Sequence, residues 1–253
     1  MLFNYHTHTP LCGHATGDMR QYVESAIANG LKTLGFSDHA PYVFPDDRPI
    51  KGMRMRQDQI QEYASSVRAL AKEYANDIRV LLGFEVEYYP DFYAEEKAFL
   101  NTVQPDYLLL AQHFIGDESL RFHVYNQSSD DFVLLAYVTQ IISALNTGDF
   151  LYVAPPDIAG FQYSKEAIQR EYRRLCVHAK KLGVPLEINL LGLRENRAYP
   201  DLRFFQIAAE VGNDVILGAD AHSPTAFNDT LAEKRAREMV AALGLHLIEK
   251  PIV

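Results

Sequence analysis

Cysteine is scarce: Cys12 and Cys176 are the two in a chain of 253 residues. They stand far apart and without CxxC spacing, which excludes a disulfide framework and a thiolate zinc knuckle. Cys176 reads as a reduced thiol on a helix's apolar face, and Cys12 as a packing residue before a ligand. No apolar run approaches the roughly 18 residues that span a bilayer, and the first residues show no signal-peptide pattern. A cytoplasmic protein with no membrane partner is expected. Positive charge is also short. The 24 Lys and Arg against 33 Asp and Glu leave a net charge of −9, and no basic run exceeds a pair, which argues against nucleic acid as a partner. An anionic substrate would need local cations to attract it.

With 48% hydrophobic and 23% charged residues, the composition is that of an ordinary globular protein. No repeat, composition break or low-complexity linker divides it, so one domain over 1–253 is expected. Strand-like and helical segments alternate along it. Asp18 with Gln21 forms a capping box for a helix that ends at Gly30. Apolar strands are expected near 4–8, 33–37, 78–89, 107–113, 150–154, 185–191 and 215–219, with amphipathic helices between them and a short strand near Leu245. Pro- and Asp-rich residues 41–51 and polar residues 114–130 read as loops. Seven such units imply a parallel sheet, either closed as a distorted (β/α)7 TIM-like barrel or open and doubly wound.

The histidines gather at one end of that sheet. In Asn4-Tyr5-His6-Thr7-His8, side chains two apart on a strand share a face, so two imidazoles stand side by side at about 7 Å. His14, His39, His113 and His222 also fall at or just past strand ends, level with Asp38, Glu85 and Asp220. Active sites of α/β folds lie at this end. Imidazole mixed with carboxylate suits zinc, manganese or iron better than calcium or magnesium. His178 and His246 read as solvated, and Glu87, two residues from Glu85 on the same side of its strand, as a supporting carboxylate.

His6-x-His8, Leu11-Cys12-x-His14, Ser37-Asp38-His39-Ala40-Pro41, Gly83-x-Glu85, Gln112-His113-Phe114 and Gly218-Ala219-Asp220-Ala221-His222 resemble the motifs of the polymerase and histidinol phosphatase (PHP) superfamily, in particular its histidinol-phosphate phosphatase branch. The resemblance spans nearly the whole chain. It implies a PHP fold holding two or three divalent ions. His6, His8, Glu85 and Asp220 would hold the first and His14, His39 and His222 the second, while Glu85 would bridge to a third held also by His113. The activity implied is that of a metal-dependent phosphomonoesterase releasing phosphate from L-histidinol phosphate in histidine biosynthesis. The metals generate the nucleophile, and Asp220, His222 and Arg194 act at the reacting group. Arg194, in Gly192-Leu193-Arg194, is the first choice to grip the substrate's phosphate, with Arg197 behind it and His123 as a loop contact.

Three departures from the family pattern fall on the site. Where the family's fifth strand ends in Gly-His, this chain reads Val153-Ala154-Pro155-Pro156-Asp157, and proline cannot ligate. The third position is then empty or weakly filled, or completed by Asp157, His123 or water. Asn4 replaces an Asp expected to orient an imidazole, and an amide does so less strongly than a carboxylate. Residues 157–161 carry no base for phosphate. A different small phosphate substrate, or a catalytically weakened metal- and phosphate-binding homologue, is the alternative.

Overall fold

The computed structural model describes residues 1–43, 53–116, 123–124, 129–159 and 162–253. In chain order the elements are β1 (Phe3–Asn4), α1 (Met19–Ala28), β2 (Thr33–His39), α2 (Ile60–Glu73), β3 (Arg79–Val86), α3 (Tyr93–Leu100), β4 (Tyr107–Leu110), α4 (Asp131–Leu145), α5 (Lys165–Leu182), β5 (Leu186–Asn189), α6 (Leu190–Glu195), α7 (Leu202–Val211), β6 (Asp214–Gly218), α8 (Thr230–Leu243) and β7 (His246–Leu247). Much of the expected 41–51 loop, most of 114–130 and residues 160–161 lie outside the described residues.

The pairings among these strands are parallel. One sheet runs β1-β2-β3-β4 and another β5-β6-β7. The expected strand at 150–154 is not a regular one, yet it joins the two sheets: Val153 bridges to Leu110 on one side and Leu186 on the other. Thr7 bridges to Ala221, with His8 N and Ala221 N donating to Ala221 O and His6 O, so the sheet curls back onto β1. The open, doubly wound alternative is thereby set aside in favour of a distorted barrel. No helix among the described residues is long and apolar enough to cross a membrane.

Local signals place the helices. The Asp18–Gln21 capping box is formed, and Ser164, Asp201 and Asp229 each accept backbone N–H bonds that start α5, α7 and α8. Such bonds satisfy donors that a helix start leaves orphaned. The expected strand over 185–191 ends early, because the Asn189 side chain accepts from Gly192 N and turns the chain into α6. Gly192-Leu193-Arg194 therefore lies on a helix, which fixes where its arginine can reach.

Inside the barrel, Phe3, Tyr5, Leu81, Tyr107, Leu109, Tyr152 and Ile216 form a separate core cluster. Tyr107 crosses β2 and β3, donating to Tyr5 O (2.6 Å) and Phe36 O (3.0 Å). A Cβ at Gly35 or Gly83 would overlap its ring, so these glycines are required by close approach. Glycine at 83 thus lets the strand that carries Glu85 pass the barrel's filling.

Candidate metal centre

Strand ends deliver the donors. β1 leads into His6 and His8, β2 ends on His39, β3 carries Glu85, and β6 leads into Asp220 and His222. β1 is regular only to Asn4, but the two imidazoles still face one another, with ring centres 5.1 Å apart and Nε2 atoms at 3.1 Å. Asp220 adopts φ 45°, a left-handed conformation that Asp tolerates better than most residues. Such strain, of order 1–3 kcal/mol, is characteristic of functional positions.

The spacing of these donors is that of a ligand shell. His6 Nε2 lies 3.3 Å from Glu85 and 3.5 Å from Asp220, and His8 Nε2 lies 3.5 and 3.2 Å from the same two carboxylates. Donors at zinc-ligand distance from one tetrahedral ion would be about 3.3 Å apart. Glu85 Oε2, Asp220 Oδ1 and His8 Nδ1 are buried without hydrogen-bond partners, and orphaned buried polar atoms are costly unless something meets them. Two carboxylate oxygens without hydrogen bonds, crowded instead by imidazole nitrogens at 2.7 Å (His39 Nδ1 to Glu85) and 3.2 Å (His8 Nε2 to Asp220), fit a divalent cation. Further sets whose ligand atoms lie within 4.8 Å of one another are His8, Cys12 and His222; His14, His39 and His222; and His39, Glu85 and His113.

Electrostatics agree. Burial works against protonating His6, yet the carboxylates of Glu187, Asp220 and Glu85 outweigh it and raise its pKa well above the ordinary value. His8 rises likewise, against burial, to about 9 through Asp220, Asp38 and Glu85. Burial would raise Glu85 and Asp220, but the imidazoles around them hold both well below the usual carboxylate range. The carboxylates thus draw protons onto the imidazoles, and a divalent cation replaces those protons.

Further residues hold the donors in place. Glu187, which the sequence reading missed, meets His6 Nδ1 at 2.9 Å and is fully buried. Its space is the one a Cβ at Gly218 would occupy. An acidic residue inside an otherwise apolar strand, Leu186-Glu187-Ile188, was the available signal. Asn189 donates to both Glu187 (2.7 Å) and Asp220 (3.0 Å). Asn4 touches no imidazole: it donates to His6 O and Thr7 Oγ1 and accepts from Ala219 N, tying β1 to β6. The carboxylate expected at position 4 is therefore supplied by Glu187. Glu87 meets His113 Nδ1 at 3.2 Å and is itself held by Arg54 (3.1 Å) and Tyr89 (2.6 Å). Asp38 turns to backbone, accepting from Thr9 N and His39 N.

A cavity of about 540 Å³ opens over the donors, lined also by Met53, His123, Pro155, Ile158, Leu191, Glu195, Arg197 and Tyr199. Arg197 pairs with Glu195 (2.6 Å) and donates to Tyr199 Oη (2.8 Å) on its wall. Arg194 is absent from that lining. Carried by α6, it pairs with Asp229 (2.9 Å) and reaches toward the carbonyls of Ala219 and Ala226. Asp157 is also turned away, accepting from Asp201 N at the start of α7. Cys12 is buried, accepts from Ala15 N, and burial pushes its thiol up to about 12, although its sulfur lies within ligand reach of His8 and His222. His178 and His246 pair with Asn146 and Asp214 away from the site.

A family model described as "PHP domain" matches residues 4–190. The chain is 31% identical over 230 residues to a Deinococcus radiodurans protein named "Probable histidinol-phosphatase", covering 88% of this chain and 87% of that one. It is 29% identical over 248 residues to the histidinol-phosphatase of Bacillus subtilis, covering 86% and 92%. Its fold superposes on the crystal structure of histidinol phosphate phosphatase from Lactococcus lactis, complexed with zinc, L-histidinol and phosphate, with a TM-score of 0.74 at 21% identity, over 97% of this chain and 95% of that one. On its matched length, its motifs and its barrel, this chain belongs to the PHP domain family.

Proposed function

We propose that this protein is a metal-dependent phosphomonoesterase that releases phosphate from L-histidinol phosphate. The observation that carries the reading is the convergence of His6, His8, Glu85 and Asp220 at ligand-shell spacing, with orphaned oxygens, under a cavity that also presents an arginine. Named relatives covering most of both chains supply the substrate. We assign the first ion to His6, His8, Glu85 and Asp220, the second to His14, His39 and His222, and a third position, bridged from the first by Glu85, to His113. The ligand set suits zinc, manganese or iron.

When bound, such ions act as Lewis acids toward phosphoryl oxygens and activate the attacking water. The chain's residues do the rest. Glu187 and Glu87 hold His6 and His113 by Nδ1, so that each presents Nε2 to the centre. Asp220 and His222, from one turn after β6, stand beside the reacting group. Arg197 offers a fork to phosphate oxygens, replacing Arg194 as first choice because it lines the cavity over the donors and Arg194 does not. Glu195, paired with Arg197, offers a carboxylate to an ammonium group, so the two together suit an amino-alcohol phosphate. Ile158, Leu191 and Tyr199 bound the space for the leaving alcohol. Zinc- or manganese-loaded protein is expected to release inorganic phosphate from L-histidinol phosphate and to lose the activity on chelation. Loaded protein that releases none from this substrate or from a panel of phosphomonoesters would overturn the proposal.

A further inference from the structure

We propose that His123 supplies the third metal position with the ligand that Pro155 cannot give. The inference rests on the proposed metal centre and concerns only how its third position is completed. His39, Glu85 and His113 converge there from the ends of β2, β3 and β4. The next wall of the barrel, residues 150–154, leads into Pro155, whose nitrogen is a tertiary amide with no lone pair to give. With His39 given to the second ion, Glu85 and His113 are left with a cavity wall where a further donor would stand.

His123 faces the same cavity. Just beyond β4 the chain doubles back, with Phe114 pairing antiparallel with His123 and Val124 N donating to His113 O at 2.8 Å. The rings of His113 and His123 are 6.0 Å apart. Ring pairs assigned to one ion run from 4.7 Å for His14 and His222 to 5.6 Å for His14 and His39, so His123 stands slightly farther off and would close in on the ion by a small movement. Phe114 meets the His123 ring edge-on at 4.8 Å, limiting its rotation. The same carboxylate that holds His113 by Nδ1, Glu87, also accepts from the backbone N–H groups of His113 and Phe114. It thus anchors both the ligand and the backbone at Phe114 that bridges to His123. With fewer donors than the first position, the third is expected to hold its ion more weakly than the first two.

Zinc per chain, measured by mass spectrometry after equilibrium dialysis across a range of free zinc, tests the assignment. Wild-type protein is expected to take three zinc ions, the third with the lowest affinity. His123→Ala should retain two, with the third weakened by about 10- to 100-fold. Pro155→His should restore the third in the His123→Ala background. His123→Gln, which keeps a polar side chain in the loop, should lose the third ion as His123→Ala does, covering the case in which the alanine variant misfolds. A third zinc bound with unchanged affinity in either variant would overturn the proposal. So would a wild-type protein that stops at two, a result that leaves the first two sites standing. Fewer than two in wild type would instead remove the proposed metal centre, and this proposal with it.

Discussion

On the wall formed by β1, β5 and β6, His6 gives its Nδ1 to Glu187, and Asn189 fixes Glu187 and Asp220 together. On the wall formed by β3 and β4, His113 gives its Nδ1 to Glu87, which Arg54 and Tyr89 fix in turn. Both walls use a buried carboxylate to set an imidazole's tautomer and direction. They differ in the backbone around that pair. The first wall draws its donors from strand ends, and the bridge of Thr7 to Ala221 locks those ends to one another. The second runs into Pro155 and, on our proposal, takes its last ligand from His123. A metal position is therefore only as fixed as the backbone that brings its last ligand, and the family's pattern is broken on the side where the barrel is least regular.

The largest effect expected from breaking the first wall is at Asp220. Asp220→Asn removes a carboxylate shared between His6, His8 and His222, and phosphate release should fall by at least about 1,000-fold, with loss of the first zinc, read as kcat/KM and metal content. The comparison sharpens with the two supporting carboxylates. Glu187→Gln should weaken the first ion by roughly 10- to 100-fold, while Glu87→Gln weakens the third by a similar factor and leaves the first untouched. Zinc titrations that show both variants losing the same ion would erase the distinction between the walls.

Smaller effects are expected from the arginines. Arg197→Ala should raise KM for L-histidinol phosphate several-fold with little change in kcat, because it removes a contact made before and during reaction alike. Arg194→Ala should leave KM unchanged and cost about 1 kcal/mol or less of stability, since its partner is Asp229 in a partly exposed pair. The reverse pattern would return Arg194 to the phosphate.

The smallest effect lies outside both walls. Burial raises Asp157 from 3.8 to about 8, so the native protein keeps a proton that the unfolded chain releases near pH 4. The stability this contributes is complete below pH 4 and is lost as pH rises through 8. Asp157→Asn should match wild type in Tm near pH 4 and exceed it by a few degrees above pH 8, as thermal melts across pH would record.

How far each feature could be read from the sequence depends on how local its signal is. The alternation of strands and helices, the Asp18 capping box and the gathering of His6, His8, His14, His39, Glu85, His113, Asp220 and His222 at one end all come from periodicity and punctuation within a few residues. Glu187 was not legible in that way, because its partner His6 is 181 positions away and a buried acid in a strand gives no sign of what it meets. The surroundings of Arg194 were not legible for a local reason that sequence pattern did not weigh: Asn189 starts a helix two residues before the expected strand end, which brings Arg194 against Asp229. Asn4 looked like a weakened support because position alone suggested its role, whereas its amide serves the backbone of β1 and β6. Asp157 looked available beside Pro155, but the start of α7 claims it.

Anomalous diffraction at the zinc edge from zinc-replete crystals tests the central claim most directly. The account predicts strong peaks enclosed by His6, His8, Glu85 and Asp220 and by His14, His39 and His222, with Glu187 still against His6. A cavity free of anomalous signal at full zinc loading, or zinc bound only by surface residues, would contradict it.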